Sequence, residues 1–253
     1  LMVDDIEDNS DLRRGKPCIH KIYGIDVAVN AGNAMYFLPH ALISRDKTLD
    51  DETKLRLYDL ITFELLRCHA GQGLDIWWHK GKKYEITENE YLQMCAYKTG
   101  TLARLSAKMG AILGGGSKSQ EESLGRFAET IGVAFQIQDD ILNLVGEEFA
   151  KGKGLGEDIH EGKRTIIVLH TLKHAGEEAK KRLLEILNAQ PADQATINEA
   201  IEIIKKYGSI DYARARAKQL VEKSWKEAGK VLKPSRAKNI LHAFAEYLIN
   251  RKV

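Results

Sequence analysis

At 253 residues the chain is long enough to bury one large core, so a single domain over 1–253 is expected. With 29% charged residues but a net charge of only +2, the chain as a whole makes no electrostatic case for nucleic acid. Cys18, Cys68 and Cys95 are too few and too scattered for a disulfide framework or a zinc ribbon, which points to a reducing, cytoplasmic compartment, and no apolar run is long enough for a transmembrane segment.

The chain opens on Leu1-Met2-Val3 and then Asp4-Asp5-Ile6-Glu7-Asp8, four carboxylates in five residues, with Leu12-Arg13-Arg14-Gly15 close behind. In a helix Asp4 and Asp8 share one face a turn apart. Such a cluster repels itself unless a cation sits between the carboxylates, and Mg2+ suits their oxygens, above all when a phosphate completes the shell. Taken alone, the cluster reads more simply as a solvated acidic turn. The sequence starts in mid-pattern without a helix start signal, so further residues before Leu1 are expected.

Only four prolines occur and strand-like alternation is scarce, whereas Leu, Ile and Ala recur at helical spacing. The fold class expected is therefore all-α. Gly15-Lys16-Pro17 marks a loop, and a helix over about 26–44 carries Tyr36-Phe37, core residues by default. Thr48-Leu49-Asp50-Asp51-Glu52 is also acidic, but it precedes a periodic stretch (Leu55, Leu57, Leu60, Ile61, Leu65) and reads as an N-cap and first turn. Acidity alone does not mark a site here.

That helix runs on to Gly71-Gln72-Gly73-Leu74-Asp75-Ile76-Trp77-Trp78, with His69, Gln72 and Asp75 at one-turn intervals. His69 reads as a hydrogen-bonded core histidine. A polar loop at 80–83 leads to Thr87 and Glu90, a capping box. The next helix carries Lys98-Thr99, and Gly114-Gly115-Gly116-Ser117 reads as a flexible interhelical loop.

Phe135-Gln136-Ile137-Gln138-Asp139-Asp140-Ile141-Leu142-Asn143 forms a second chemical centre. Two carboxylates stand in an apolar run from Ile131 to Val145, and an unpaired buried charge costs several kcal/mol. They should face a cavity or bind cations, with Gln136, Asp139 or Asp140, and Asn143 on one helical face. The following segment, Lys151-Gly152-Lys153-Gly154 through Glu161-Gly162-Lys163-Arg164, has the composition of a loop that closes cationic groups over an anion. Residues 174–253 read as amphipathic helices with solvated charged faces, broken near Gln190-Pro191, Gly208 and Lys233-Pro234. Glu157-x-x-His160 has di-iron ligand spacing, but one copy in a glycine-rich loop cannot build such a site. The eight histidines do not assemble a complete zinc ligand set.

Two acidic clusters, helix-borne Lys and Arg and a basic loop imply polyphosphate chemistry with metal ions, and no P-loop is present. Together these residues resemble the head-to-tail trans-isoprenyl diphosphate synthases. The resemblance rests on Asp4-Asp5-Ile6-Glu7-Asp8 with Arg13-Arg14-Gly15, Gly71-Gln72-Gly73-Leu74-Asp75, Lys98-Thr99, Phe135-Gln136-x-x-Asp139-Asp140, Lys153 and Glu161-Gly162-Lys163. It covers residues 1 to about 170 and is most similar to the geranylgeranyl diphosphate synthases of eukaryotic type. Asn143 departs from the aspartate that many members have.

The resemblance implies a helical bundle with a central active-site cavity. Asp4, Asp5 and Asp8 would hold Mg2+ on the allylic diphosphate from one wall, and Asp139 and Asp140 from the other, with several ions per site and Mn2+ as a substitute. Arg13, Lys98, Lys153 and Lys163 would contact the allylic diphosphate and Arg14 the isopentenyl diphosphate, with Gln72 among the substrate-binding residues. Thr99 and Gln136 would hydrogen-bond beside the developing allylic cation. Arg13, Lys98, Thr99 and Gln136 are thus the implied catalytic set. The cation is attacked by the isopentenyl double bond, and the departing diphosphate takes the proton, so no poised His or Glu is required. Tyr36, Phe37 and His69 would form the floor that sets product length.

The implied product is geranylgeranyl diphosphate, from isopentenyl diphosphate and farnesyl diphosphate as the allylic primer. The implied assembly is a homodimer or a group of dimers. The family carries a further isopentenyl-diphosphate site upstream of its first acidic motif, which is expected before Leu1. Two other functions compete. Asp139-Asp140-x-x-Asn143-x-x-x-Glu147 approaches the metal motif of class I terpene cyclases, but Arg13-Arg14, Lys98-Thr99 and Lys163 argue for two diphosphate-bearing substrates. A non-catalytic subunit of a prenyl synthase should have lost carboxylates, whereas both clusters are full apart from Asn143.

Overall fold

The computed structural model describes residues 1–80, 85–146 and 155–250, and the chain divides into two compact units, Leu1–Ile61 and Thr62–Val253. The described residues are almost entirely helical, and the only sheet among them is a two-stranded hairpin.

In the first unit, α1 (Met2–Glu7) contains Asp4 and Asp5, and Asp8 closes it as the C-cap. The segment read as a loop is a hairpin: β1 (Leu12–Arg13) pairs antiparallel with β2 (Lys16–Pro17). Arg14 and Gly15, both at positive φ, make its two-residue turn, a backbone that matches the twist of paired strands. Glycine supplied the turn signal; the two-residue strands were too short to alternate visibly. After α2 (Ile19–Tyr23), α3 (Ile25–Arg45) lies against α1. Gly32 permits the approach, since a Cβ there would sit 2.8 Å from a Val3 methyl group.

Ala28 and Gly32 are buried and Tyr36, on the same stripe, is half-buried, but Phe37 is 70% exposed. The default core reading therefore fails for Phe37, which lies a third of a turn off that stripe. In α4 (Asp51–Lys80), Asp50 caps the start by accepting the Thr53 N–H at 2.7 Å. Along α4 the buried positions are 57, 61, 64, 71, 75 and 78, with Cys68 half-buried between them. Leu55 is exposed, and His69 is exposed as well, contrary to its core reading, because both fall off this stripe. Two of the stripe's members, Glu64 and Asp75, are acids.

In the second unit, α5 (Glu88–Cys95) starts at the expected Thr87–Glu90 capping box. It passes through a π turn (Ala96–Gly100) into α6 (Thr101–Leu113). α7 (Lys118–Val145), opened by a Ser117–Gln120 capping box, is the central helix, packed by α6 and the π turn. The remaining helices are α8 (Glu157–His160), α9 (Ile166–His174), α10 (Glu177–Ala189), α11 (Gln194–Lys206), α12 (Ser209–Val231) and α13 (Arg236–Asn250). The breaks near 190–191, 208 and 233–234 fall where the sequence placed them, whereas the short α8 stands in a segment read as loop and the break at 175–176 carried no expectation. α12 and α13 also pack on α7. Phe127, Ile137 and Ile141 of α7, with Ile167, Leu183, Ile186 and Ile204 from later helices, belong to one apolar cluster.

Candidate active site

In the second unit the site is built on the π turn. Such turns interrupt an α-helix by one residue and re-aim the side chains they carry. Three glycines let neighbouring helices close on it. A Cβ on Gly71 of α4 would lie 2.3 Å from the Lys98 backbone nitrogen, one on Gly132 of α7 would lie 2.6 Å from Gly100 Cα, and one on Gly100 would lie 2.8 Å from the Glu129 carbonyl oxygen. Lys98 and Thr99, adjacent in sequence, consequently meet different helices. Lys98 Nζ donates to Asp75 Oδ2 of α4 at 2.7 Å, and Thr99 Oγ1 donates to Gln136 Oε1 of α7 at 2.9 Å.

From Gln136 the hydrogen bonding continues one turn along α7. Gln136 Nε2 donates to Asp140 Oδ1 at 3.0 Å, and Tyr91 of α5 donates its hydroxyl to Asp140 Oδ2 at 2.6 Å. This fixes the amide: its oxygen faces Thr99 and its nitrogen faces the acid. Asp140 is buried and Asp139 half-buried. Burial pushes the Asp140 carboxyl well above its usual range, and the nearby Asp158 charge pushes it further. Burial and the Asp140 charge likewise hold the Tyr91 phenol well up, so it stays a donor.

The segment from Leu155 onward returns to α7 through Asn143. Gly156 N–H donates to the Asn143 backbone oxygen at 2.8 Å, and Asp158 N–H donates to its side-chain oxygen at 3.1 Å. Lys163 Nζ lies 2.7 Å from Glu161 and 3.4 Å from Asp158. Burial raises Asp158; Lys163 opposes that, and Asp75 adds to it. Asp75 itself is buried, which alone would raise it, but Lys98 and Lys163 together hold it below the usual carboxylate range.

In the first unit the hairpin folds Arg13 back onto α1. Arg13 Nε donates to Asp5 Oδ1 at 2.7 Å, with a second short bond from Nη2 to the same oxygen, and Nη2 reaches Asp4 Oδ2 at 3.2 Å. Asp5 is buried, whereas Asp4 and Asp8 are half-buried and stacked one turn apart, the Asp8 N–H on the Asp4 carbonyl oxygen at 2.9 Å. Arg14 is exposed on the turn.

Among the described residues no three His, Cys, Asp or Glu groups converge as a ready-made metal cage. The donors that are present are carboxylate oxygens, and burial first, with neighbouring carboxylates adding to it, raises the proton affinity of both Asp140 and Asp158. Such a set fits a hard divalent cation that takes its remaining ligands from a phosphate. The second unit thus brings together Lys98, Thr99, Gln136, Asp140 and Lys163 of the expected site, with Gln72 half-buried on α4. Lys153 lies outside the described residues. Sequence reasoning passed over Tyr91, Asp158 and Gly132. Tyr91 follows a capping box in an apolar stretch and carries no local signal of its partner 49 residues away.

The chain belongs to the polyprenyl synthetase family, whose profile matches residues 1–204. It is 41% identical over 214 residues to a short chain isoprenyl diphosphate synthase of Methanocaldococcus jannaschii, a match covering 85% of this chain and 63% of that one. The fold is that of a geranylgeranyl pyrophosphate synthetase from Pyrococcus horikoshii, at a TM-score of 0.89 and 35% identity, over 99% of this chain and 75% of that one. It also resembles a geranylgeranyl pyrophosphate synthase from Corynebacterium glutamicum solved with isoprenyl diphosphate and magnesium, at a TM-score of 0.89 and 26% identity, over 99% and 74% of the two chains. Among the described residues no helix is long and apolar enough to cross a membrane.

Proposed function

We propose that this chain performs head-to-tail prenyl transfer, condensing isopentenyl diphosphate with farnesyl diphosphate to give geranylgeranyl diphosphate. Family membership and the names of its solved neighbours support this reading. The observation that carries it is the hydrogen-bonded run Thr99–Gln136–Asp140–Tyr91 beside the Lys98–Asp75 pair.

Lys98 and Lys163, each paired with carboxylates of the same unit, supply positive charge for an allylic diphosphate. Arg13 serves the same group and Arg14 the isopentenyl diphosphate. Gln72 is assigned to substrate binding. Thr99 and Gln136 offer oxygen dipoles whose orientation is set before substrate arrives, which stabilises a developing cation without reorganisation. Asp4, Asp5, Asp8, Asp139 and Asp140 are the proposed Mg2+ ligands, with Mn2+ as a substitute; bound Mg2+ neutralises charge on the departing diphosphate. Tyr36, Phe37 and His69 are proposed to set product length. A cytoplasmic location and a homodimer, or an assembly of dimers, complete the reading, with 1–253 belonging to one synthase domain.

The test is product analysis with isopentenyl diphosphate and each of the C5, C10 and C15 allylic primers. A C20 diphosphate that requires divalent metal is expected. Hydrocarbon released from geranylgeranyl diphosphate alone would instead identify a cyclase, and turnover without divalent metal would contradict the mechanism.

A further inference from the structure

A second polar cluster in the same unit touches none of the proposed substrate groups. Glu64 of α4 is 1% exposed, yet it is a carboxylate in the middle of a packed stripe. It accepts from Thr101 Oγ1 at 2.5 Å, from Arg104 Nε at 2.9 Å and Nη2 at 2.7 Å, and from Arg67 Nη1 at 2.9 Å. Arg104 also pairs through its other terminal nitrogen with Glu129 of α7. One guanidinium on α6 therefore bridges α4 and α7.

The same three helical strands are bridged again at the π turn, by Lys98 to Asp75 and Thr99 to Gln136. Asp75 lies about three turns beyond Glu64 on the same stripe of α4, and Gln136 about two turns beyond Glu129 on one face of α7. Toward the π turn, the chain carrying Arg104, Thr99 and Lys98 runs in the opposite sense. The two bridges are thus successive rungs between the same elements. Thr101, the first residue after the π turn, belongs to the lower rung, and the carbonyl of Glu129 is the atom against which Gly100 is packed. Any slip of α6 against α4 or α7 has to move Lys98 and Thr99 with it.

The geometry points to Arg104 as a positioning residue for prenyl transfer: the Glu64–Arg104–Glu129 rung sets the register that presents Lys98 to Asp75 and Thr99 to Gln136. The inference rests on the prenyl-transfer reading above. Its planar fork matters, because a lysine ammonium is a point charge that cannot span both carboxylates with paired bonds.

The test compares wild type, Arg104→Lys, Arg104→Gln and the double variant Glu64→Gln with Arg104→Met, in steady-state kinetics at saturating Mg2+ and in thermal unfolding. Arg104→Gln should lower kcat about ten- to a hundredfold, the scale of a misplaced reacting group, with both KM values changed much less. Arg104→Lys should keep most of the folding stability and lose kcat to an intermediate degree. In the double variant the fully buried charge at Glu64 is gone and only the less buried Glu129 loses its Arg104 partner, so thermal stability should recover in large part while kcat stays low. If kcat recovers together with stability, the rung is structural only and the inference fails; it also fails if Arg104→Gln and Arg104→Lys both turn over like wild type. Should the Gln and double variants not fold, an Arg104→Lys enzyme with wild-type kcat overturns it and one with reduced kcat at retained stability supports it. A wild type that makes no prenyl product would refute the functional reading instead.

Discussion

Tyr91 and Asp140, on different helices of the second unit, are joined by a 2.6 Å hydrogen bond in which the phenol donates and a buried carboxylate accepts. Asp140 is also held by Gln136, so both of its oxygens are occupied by donors from fixed elements. The carboxylate is thereby aimed before any cation arrives. Removing the phenol in Tyr91→Phe leaves a buried acceptor with one donor fewer, a cost of about 1–3 kcal/mol. The expected outcome is a lower unfolding temperature and a Mg2+ titration of activity shifted to higher concentration. Isothermal titration of Mg2+ with a non-reactive allylic diphosphate analogue checks the second effect apart from turnover. An unchanged Mg2+ midpoint would show that Gln136 alone fixes the acid.

Gly71 and Gly73 look equivalent in Gly71-Gln72-Gly73, but their surroundings differ. A Cβ on Gly71 would lie 2.3 Å from the Lys98 nitrogen, 2.7 Å from the Tyr97 carbonyl carbon and 2.8 Å from Lys98 Cα, all of them backbone, whereas one on Gly73 meets nothing within 4 Å. Gly71→Ala must push the π turn away from α4 and should nearly abolish turnover, with a loss of stability. Gly73→Ala lies in an α-helix interior and should stabilise by about 0.5–1 kcal/mol through backbone entropy. Paired kcat and unfolding measurements on the two variants decide the point.

Much of this was legible beforehand. Helical spacing, the Thr87–Glu90 capping box and the helix breaks after 174 are local signals, and they match the elements found. The resemblance gave Thr99 and Gln136 one shared role, but the hydrogen bond between them, and the share of Asp140 in it, needed the packed structure. Tyr91 and Glu64 were invisible for one reason: each is a polar side chain on a stripe whose spacing says only core. Phe37 erred the other way, as an aromatic whose helical phase leaves it exposed. Periodicity finds the buried face, but it does not show which polar groups that face will need.

The Tyr36–Phe37 pair gives the prediction for product length. Tyr36 is half-buried and Phe37 is 70% exposed. Truncation of Phe37 therefore creates little internal cavity, and Phe37→Ala alone should stay within about 0.5 kcal/mol of wild type, as expected of a surface change. Tyr36→Ala with Phe37→Ala should give products longer than C20. Chromatography of the dephosphorylated products reads the length directly, and an unchanged C20 product would remove both residues from the floor.

Asn143 ends the second acidic motif with an amide in place of a third carboxylate, and its side-chain oxygen accepts the Asp158 N–H at 3.1 Å. Asn143→Asp keeps an acceptor at that place, so the link between α7 and α8 should survive. It also adds a negative charge one turn from Asp140, whose carboxyl already has a raised proton affinity from burial and Asp158. More repulsion without metal and more attraction toward a divalent cation are both expected. The variant should unfold at a lower temperature than wild type without Mg2+ and gain more stability on adding it. Differential scanning calorimetry with and without Mg2+ measures both shifts.

Glu64 supplies the pH prediction. Burial acts to raise its carboxyl, but hydrogen bonds from Arg104 and Thr101 and the charges of Arg104 and Arg67 outweigh that and hold it below the usual range. A folded-state pKa below the unfolded one means that the unfolded chain binds the proton more readily. The stabilisation from this carboxylate is then fully present above the unfolded value, near 4.3 for a free glutamate, and is lost as pH falls through the depressed folded value. Glu64→Gln removes that proton linkage while leaving Arg104 with one carboxylate partner, Glu129. At neutral pH the variant should be less stable by about 3 kcal/mol, the lower end expected for breaking a buried pair. The gap to wild type should close as the pH falls below about 4. Urea unfolding of both proteins across that range tests this, and a gap that stays constant with pH would show that Glu64 is already protonated in the folded state.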